Sequence, residues 1–328
     1  MSPKIMNLSE VQKYLATDWN IFKTFFEEAL VSDVSLLNDI NKKIISNSGK
    51  QLRPMLAILA AKACAPRTKL SKPTFSCAAA AEIIHNATLL HDDVVDNSPC
   101  RRDKPTIFSR FGAGVAVLVG DYWLSRAIEL IMASECSDKI ITLFSKTISD
   151  LVQGEIFQLQ KSELLDTSLE DYYKIIYGKT ASLFESAIIS GALSVNAPSE
   201  YVDALGKYAV FLGYAFQIKD DIFDYTPDAK VGKNIGVDIL EKKITLPLLG
   251  ALVNAPKYDK VLRDKIRDID NNKEEILEFI NENKGVEYAY SQLDLYVDKA
   301  VTSLVVLPDT KEKEFLIKLA KFVGDRNK

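Results

Sequence analysis

Glycine is scarce, with 14 residues in 328, and alternating apolar and polar runs are nearly absent, so little in the chain signals strands. Basic residues are not in excess. Forty-one Lys and Arg face 45 Asp and Glu, a formal charge of −4, which argues against a nucleic-acid partner because nothing is available to replace phosphate counterions. No apolar run approaches the roughly 18 residues that a bilayer span needs. Cys64, Cys77, Cys100 and Cys136 form no C-x-x-C pair, which excludes the usual zinc cluster and redox dithiol. Met1-Ser2-Pro3-Lys4 leads into a polar stretch rather than an apolar leader, so reduced thiols in the cytoplasm are expected. Only two histidines occur, and no Ser-His-Asp or Cys-His arrangement is evident. With 47% hydrophobic and 26% charged residues, the composition excludes a disordered chain and fits an ordinary globular one.

What is present is helical periodicity. Apolar residues recur at three- and four-residue spacing over 8–30, 33–47, 51–64, 72–96, 113–134, 138–161, 168–195, 199–225, 244–253, 258–282, 285–306 and 310–326. Ser71-Lys72-Pro73 and Asp138 mark well-formed helix starts, and prolines or glycines fall between most segments. Without a repeat, linker or low-complexity tract, one all-α domain over 1–328 is the expectation. Residues 75–95 and 180–195 are apolar nearly all round, which places them at the centre of a bundle. Charges on such helices need an explanation, because burying them unpaired is costly.

Two acidic clusters stand out. Asp92-Asp93-Val94-Val95-Asp96 ends one apolar helix, and Asp220-Asp221-Ile222-Phe223-Asp224 ends another with the same D-D-x-x-D spacing. Carboxylates four apart share a helix face and repel unless a cation intervenes. Magnesium prefers such oxygens and shares them with phosphates. An acidic helix end in solvent is the alternative for either cluster alone; two copies favour carboxylate plates holding several metal ions. Basic residues are spaced to complete such a site: Lys50 and Arg53 at a helix start, Arg101 and Arg102 after Pro99, Lys179 beside Thr180, then Lys233, Lys242 and Lys243. Arginine forks and lysine charges suit phosphate oxygens, although each singly fits a solvated surface residue. Together they point to an oligophosphate ligand. His85, seven residues before Asp92, fits a phosphate donor or a satisfied core histidine, and His91 fits a supporting role.

These residues resemble the trans-isoprenyl diphosphate synthases, or polyprenyl synthetases. The segments that carry the resemblance are GKQLRP (49–54), HDDVVD (91–96) with RR (101–102), GD (120–121), GEIFQ (154–158), KT (179–180), FQIKDDIFD (216–224), GKNIGVD (232–238) and KKITLP (242–247). They run in the family's order over roughly residues 45–250. The resemblance implies the isoprenoid synthase fold: a helical bundle around a deep central cavity, usually a homodimer, with three magnesium ions. The implied reaction is head-to-tail condensation of isopentenyl diphosphate with an allylic diphosphate. By analogy Asp92 and Asp96 bind two ions and Asp220, Asp221 and Asp224 the third. Arg101, Lys179, Gln217, Lys233 and Lys243 are implied on the allylic diphosphate, and Thr180 beside them. Lys50, Arg53, His85 and Arg102 are implied on isopentenyl diphosphate. Departures from the family pattern are Asp103 after the double arginine, Lys219 inside the second cluster's helix, and Ser48 in place of a glycine.

Product length is expected from the residues preceding Asp92. Short-chain members floor the cavity with aromatics four or five positions before the first aspartate; here those positions are Thr88 and Ala87, with Ile84 and Ala81 deeper. One helical turn rises about 5.4 Å, close to one isoprene unit. The floor is therefore expected deeper, on the helix with Ile128 and Met132, and the product long. The alternatives are a farnesyl or geranylgeranyl diphosphate synthase, a class I terpene cyclase, a non-catalytic subunit of a heteromeric synthase, and a helical scaffold. Cyclases generally lack the second D-D-x-x-D, inactive subunits typically lose such clusters, and a scaffold leaves the doubling unexplained.

Overall fold

The structure, a computed structural model, describes residues 8–102, 104–134, 137–226 and 236–326. Among them the chain forms α1 (Leu8–Tyr14), α2 (Ala16–Glu28), α3 (Ser35–Ser46), α4 (Leu52–Cys64), α5 (Lys72–Val95), α6 (Ile107–Phe111), α7 (Ala113–Met132), α8 (Asp138–Leu164), α9 (Leu169–Ile176), α10 (Ser182–Leu193), α11 (Ser199–Tyr225), α12 (Val237–Leu240), α13 (Leu246–Asn254), α14 (Asp259–Arg267), α15 (Ile269–Glu282), α16 (Gly285–Ser303) and α17 (Lys311–Asp325). The all-α expectation holds apart from a two-residue antiparallel ribbon, β1 (Cys100–Arg101) with β2 (Lys104–Pro105). Both helix starts read from sequence are observed, α5 with its proline in the first turn and α8 at Asp138.

Three expected helices are interrupted. The first breaks at Leu15, and the stretch 258–282 breaks at Asp268, whose φ and ψ of −110° and 58° leave the helical region. In 168–195 one turn over Tyr177–Ala181 widens to a π-helix. The short α6 and α12 lie outside every expected helix, because four- and five-residue helices carry too few turns to show a period.

Two compact units are distinguished, each assembled from three stretches of chain. One takes the described residues up to Ile148, Glu185–Gly206 and Val306–Leu316; the other takes Ser149–Phe184, the described part of 207–305, and the chain from Ile317. In the first, α5 packs against α2, α4 and α7. Its core is lined by nearly all of α4 and by the Ala78–Ala81 run of α5. Small side chains let these helices approach closely, which is why the middle of α5 needs no polar face. Trp123 of α7 packs edge-on against Phe26 and donates through Nε1 to Asn41 Oδ1 at 2.8 Å, while Asn41 Nδ2 donates to Leu30 O at 2.7 Å. That buried polar chain is fully satisfied and ties α3 and α7 to the end of α2. In the second unit α13 packs on α15 and α16, and Tyr173, Tyr214 and Tyr296 form an aromatic triad with centroids 5.2–5.6 Å apart.

Candidate active site

The first acidic cluster closes α5. Asp92 is half-buried and Asp96, at the helix end, is exposed, and the Asp96 N–H donates to the Asp92 carbonyl at 2.8 Å. Asp93 turns inward, 5% exposed, and accepts from Arg101 Nε at 2.8 Å. Burial pushes its carboxyl above the ordinary value, against the pull of Arg101. The cluster is thus an outward pair of carboxylates and an inward anchor for the ribbon. Arg102 adopts φ +52° and donates through Nη1 to Asn47 O at 3.2 Å. Its guanidinium lies against Gly49, where a Cβ would stand 2.6 Å from both terminal nitrogens. A side chain at 49 would displace the guanidinium from this position. Arg101, Arg102, Lys43, Lys104 and Arg110 rim a pocket of about 290 Å³ with Leu89, Leu90 and Ile107 among its apolar walls.

Arg53 is buried on the first turn of α4. Burial, then Arg53, Arg102 and Arg101, hold the half-buried His85 well below its ordinary value, so its ring is neutral. Glu82 is also buried; burial raises its carboxyl while Arg53 is the strongest opposing influence. Arg53, His85, Arg102 and the Gly49-Lys50 turn are thereby gathered in one unit, with Glu82 as a member that the sequence did not single out. Its only signal is an acid in an apolar run three residues before His85. His91 Nε2 lies 3.3 Å from Asp121 Oδ1, which links the GD segment to the cluster. Ala87 and Ile84 are fully buried, and Thr88 is half-buried, its hydroxyl donating to His85 O at 2.8 Å. Farther along, Ile128 is half-buried and Met132 is 63% exposed.

In the second unit the π-helix presents Lys179 and Thr180. It forms where Gly178 meets Gly154 of α8: a Cβ on Gly178 would stand 2.9 Å from Asp150 O and from the Gly154 Cα. Lys179 Nζ reaches Glu155 Oε2 at 2.6 Å and Gln158 Oε1 at 3.0 Å. The Thr180 hydroxyl donates to Gln217 Oε1 at 2.7 Å. Gln217 Nε2 donates to Asp221 Oδ1 at 2.9 Å, and the Tyr172 hydroxyl donates to Asp221 Oδ2 at 2.6 Å. Asp221 is 4% exposed, and burial, then Asp238, push its carboxyl well up. Asp220 is more open and accepts from Arg326 Nη2 at 2.7 Å; that guanidinium also donates to Phe216 O and stacks on the Phe216 ring. Asp224 accepts at both oxygens from the N–H groups of Val237 and Asp238, at 3.0 and 2.9 Å, and so fastens the start of α12. Burial and Asp224 push Asp238 up to about 7 against Lys243, and Lys243 pairs with Glu241 at 2.7 Å. Lys219 is buried over the Tyr290 ring, 5.0 Å away, which accommodates its charge in an apolar helix. Lys233 and Asp103 lie outside the described residues.

Tyr172, Asp238, Arg326 and Glu155 were not singled out from sequence. Asp238 and Glu155 sit inside the matched segments; Tyr172 and Arg326 carry no local signal, since only folding brings them to the cluster. Among the described residues no three His, Cys, Asp or Glu side chains converge as a metal-holding group. The donors that face outward, Asp92, Asp96 and Asp220, are hard carboxylate oxygens of the type that magnesium and calcium prefer.

A sequence model described as polyprenyl synthetase matches residues 34–283. The chain belongs to the polyprenyl synthetase family. It is 38% identical over 327 residues to the octaprenyl diphosphate synthase of Escherichia coli, covering 98% of this chain and all of the relative. It is 36% identical to the all-trans-nonaprenyl-diphosphate synthase (geranyl-diphosphate specific) of Rhodobacter capsulatus, over 95% of this chain and 96% of that one. Among solved structures it resembles the Caulobacter crescentus polyprenyl synthase complexed with calcium and isoprenyl diphosphate, with a TM-score of 0.89, 32% identity and 99% of both chains covered. As a polyprenyl synthetase it is a prenyltransferase, and no described helix is long and apolar enough to cross a membrane.

Proposed function

We propose that this polyprenyl synthetase condenses isopentenyl diphosphate head-to-tail with an allylic diphosphate and makes a long all-trans polyprenyl diphosphate. One observation carries the reading: two D-D-x-x-D helix ends occur in a chain that is similar along nearly its whole length to octaprenyl and nonaprenyl diphosphate synthases. Asp92, Asp96 and Asp220 are the proposed ligands of magnesium, three ions in all by the family pattern. Bound magnesium would supply charge neutralisation to the departing diphosphate. Arg101, Lys179, Lys233 and Lys243 supply positive charge to the allylic diphosphate. Lys50, Arg53, His85 and Arg102 hold isopentenyl diphosphate, and the neutral His85 serves as a donor to its oxygens. Apolar walls exclude water from the carbocation, and the double bond attacks it. No protein nucleophile is needed, and the released diphosphate takes the proton.

The small Ala87 and Thr88 support a long product. The whole chain is proposed to act as one synthase domain, in the cytoplasm, where Cys64, Cys77 and Cys100 stay reduced. A homodimer is proposed as well: Val117 and Leu118 on α7 are exposed, Leu118 by 68%, and a second copy of the chain is the occupant that the family pattern gives.

The test is incubation of the purified protein with labelled isopentenyl diphosphate, farnesyl diphosphate and magnesium, with product length measured. Products of hexaprenyl length or more are expected, and Asp92→Ala should abolish them while circular dichroism stays helical. Ala87→Phe should shorten the product to about three or four units, one turn of α5 matching about one unit. Absence of condensation would remove the assignment, and a farnesyl or geranylgeranyl product would move it to the short-chain class.

A further inference from the structure

The second acidic cluster contains a hydrogen-bonded chain that runs from a buried tyrosine through Asp221 to Thr180. Tyr172, on α9, is 2% exposed and donates to Asp221 Oδ2 at 2.6 Å. Asp221 Oδ1 accepts from Gln217 Nε2 at 2.9 Å, and Gln217 Oε1 accepts from the Thr180 hydroxyl at 2.7 Å. The chain has one polarity. An amide that donates its NH2 to Asp221 must turn its oxygen to Thr180. Thr180 then commits its single hydrogen to Gln217, and its oxygen keeps only lone pairs for whatever lies beyond.

We infer that Tyr172 is a positioning residue, which holds Asp221 so that Asp221 orients the Gln217 amide and Gln217 orients the Thr180 oxygen towards positive charge developing on the allylic substrate. The inference rests on the proposed synthase reaction. It reassigns Asp221, expected from its motif to bind metal, to a role inside the protein. Both of its carboxylate oxygens already accept, at 2.6 Å from the buried Tyr172 and at 2.9 Å from the half-buried Gln217, and little of the residue reaches solvent.

Removing the Tyr172 hydroxyl leaves Asp221 with one donor and its carboxylate free to rotate away from Gln217, which unseats the amide. Asp221→Asn is a milder change. The Asn can give its oxygen to Gln217 Nε2 and its NH2 to the Tyr172 oxygen, because a phenol hydroxyl accepts as well as donates, so the chain keeps its polarity. With Phe at 172 that NH2 loses its acceptor, and the Asn can turn and offer Gln217 either end.

The experiment compares the parent, Tyr172→Phe, Asp221→Asn and the double variant. Each is read for kcat, both KM values, magnesium binding by calorimetry with inorganic diphosphate, and melting temperature. Tyr172→Phe should lower kcat about tenfold, the loss of roughly 1.4 kcal/mol in the transition state, with both KM values within about twofold. Asp221→Asn should lose less than Tyr172→Phe while magnesium binding holds. The double variant should turn over more slowly than Asp221→Asn and no faster than Tyr172→Phe. A Tyr172→Phe enzyme with parental kcat overturns the inference, as does a double variant faster than Asp221→Asn. Weakened magnesium binding in Asp221→Asn overturns it too, since Asp221 would then be a ligand. Should Tyr172→Phe fail to fold, Asp221→Asn and Asp221→Ala decide: the Asn enzyme must keep more kcat than the Ala enzyme while both bind magnesium as the parent does. A parent without condensation would remove the synthase assignment instead, and the coupling between the two sites in melting temperature would still test the chain.

Discussion

The two D-D-x-x-D motifs divide their acids in the same way. Position two of each, Asp93 and Asp221, is buried at 5% and 4% exposure and held by partners inside its own unit, Arg101 for one and Tyr172 with Gln217 for the other. A helix turns about 100° per residue, so the second acid cannot share the face that the first and fifth share. The spacing therefore made the pairs Asp92 with Asp96 and Asp220 with Asp224 legible. The donors that meet the second acid come from other segments and were not legible. His85 gives a residue-scale prediction. The unfolded chain takes up a proton near the ordinary histidine value of about 6.5, whereas burial and three guanidiniums keep the native ring neutral. The unfolded state thus binds more protons as the pH falls, and stability drops on acidification below about 6.5. His85→Gln removes that loss, so its melting temperature should gain on the parent's between about pH 8 and pH 5.5. A gap between the two proteins that is independent of pH contradicts the neutral native ring.

At the scale of elements, the periodicity of apolar residues located the long helices to within a few residues but read 168–195 as one. The π-turn at Tyr177–Ala181 depends on Gly178 and Gly154 meeting across two helices, a tertiary contact without a sequence period. Gly178→Ala would force a methyl to within 2.9 Å of Asp150 O and of the Gly154 Cα. The helices must part, at a cost of about 1–3 kcal/mol. Lys179 and Thr180 ride on that turn, so kcat should fall together with the melting temperature. A variant with parental kcat would show that the turn does not set the position of those two side chains. The ribbon β1–β2 was missed for a related reason: two-residue strands show no alternation, and the turn that joins them places Arg102 at positive φ.

At the scale of the molecule, the chain is 36.6 kDa with nearly balanced charge, and α7 leaves Leu118 in solvent. Val117 beside it is exposed as well, and adjacent exposed apolar side chains are what a second copy of the chain would cover. Leu118→Asp should shift the sedimentation mass from twice that of the chain towards a single chain, with helical content unchanged. A parent already monomeric, or a variant that stays dimeric, places the interface elsewhere.

The sequence by itself determined the helical class, most helix limits, the doubled acidic pairs and the family, because each rests on spacing along the chain and on residue type. Tertiary structure decided which acid of each motif faces inward, the neutral state of His85, the widened turn under Lys179, and the attachment of Tyr172 and Arg326 to the second cluster. The last two are separated from their partners by 49 and 106 residues. Such contacts depend on how helices pack and on which donors burial brings within reach, and neither is written in local periodicity.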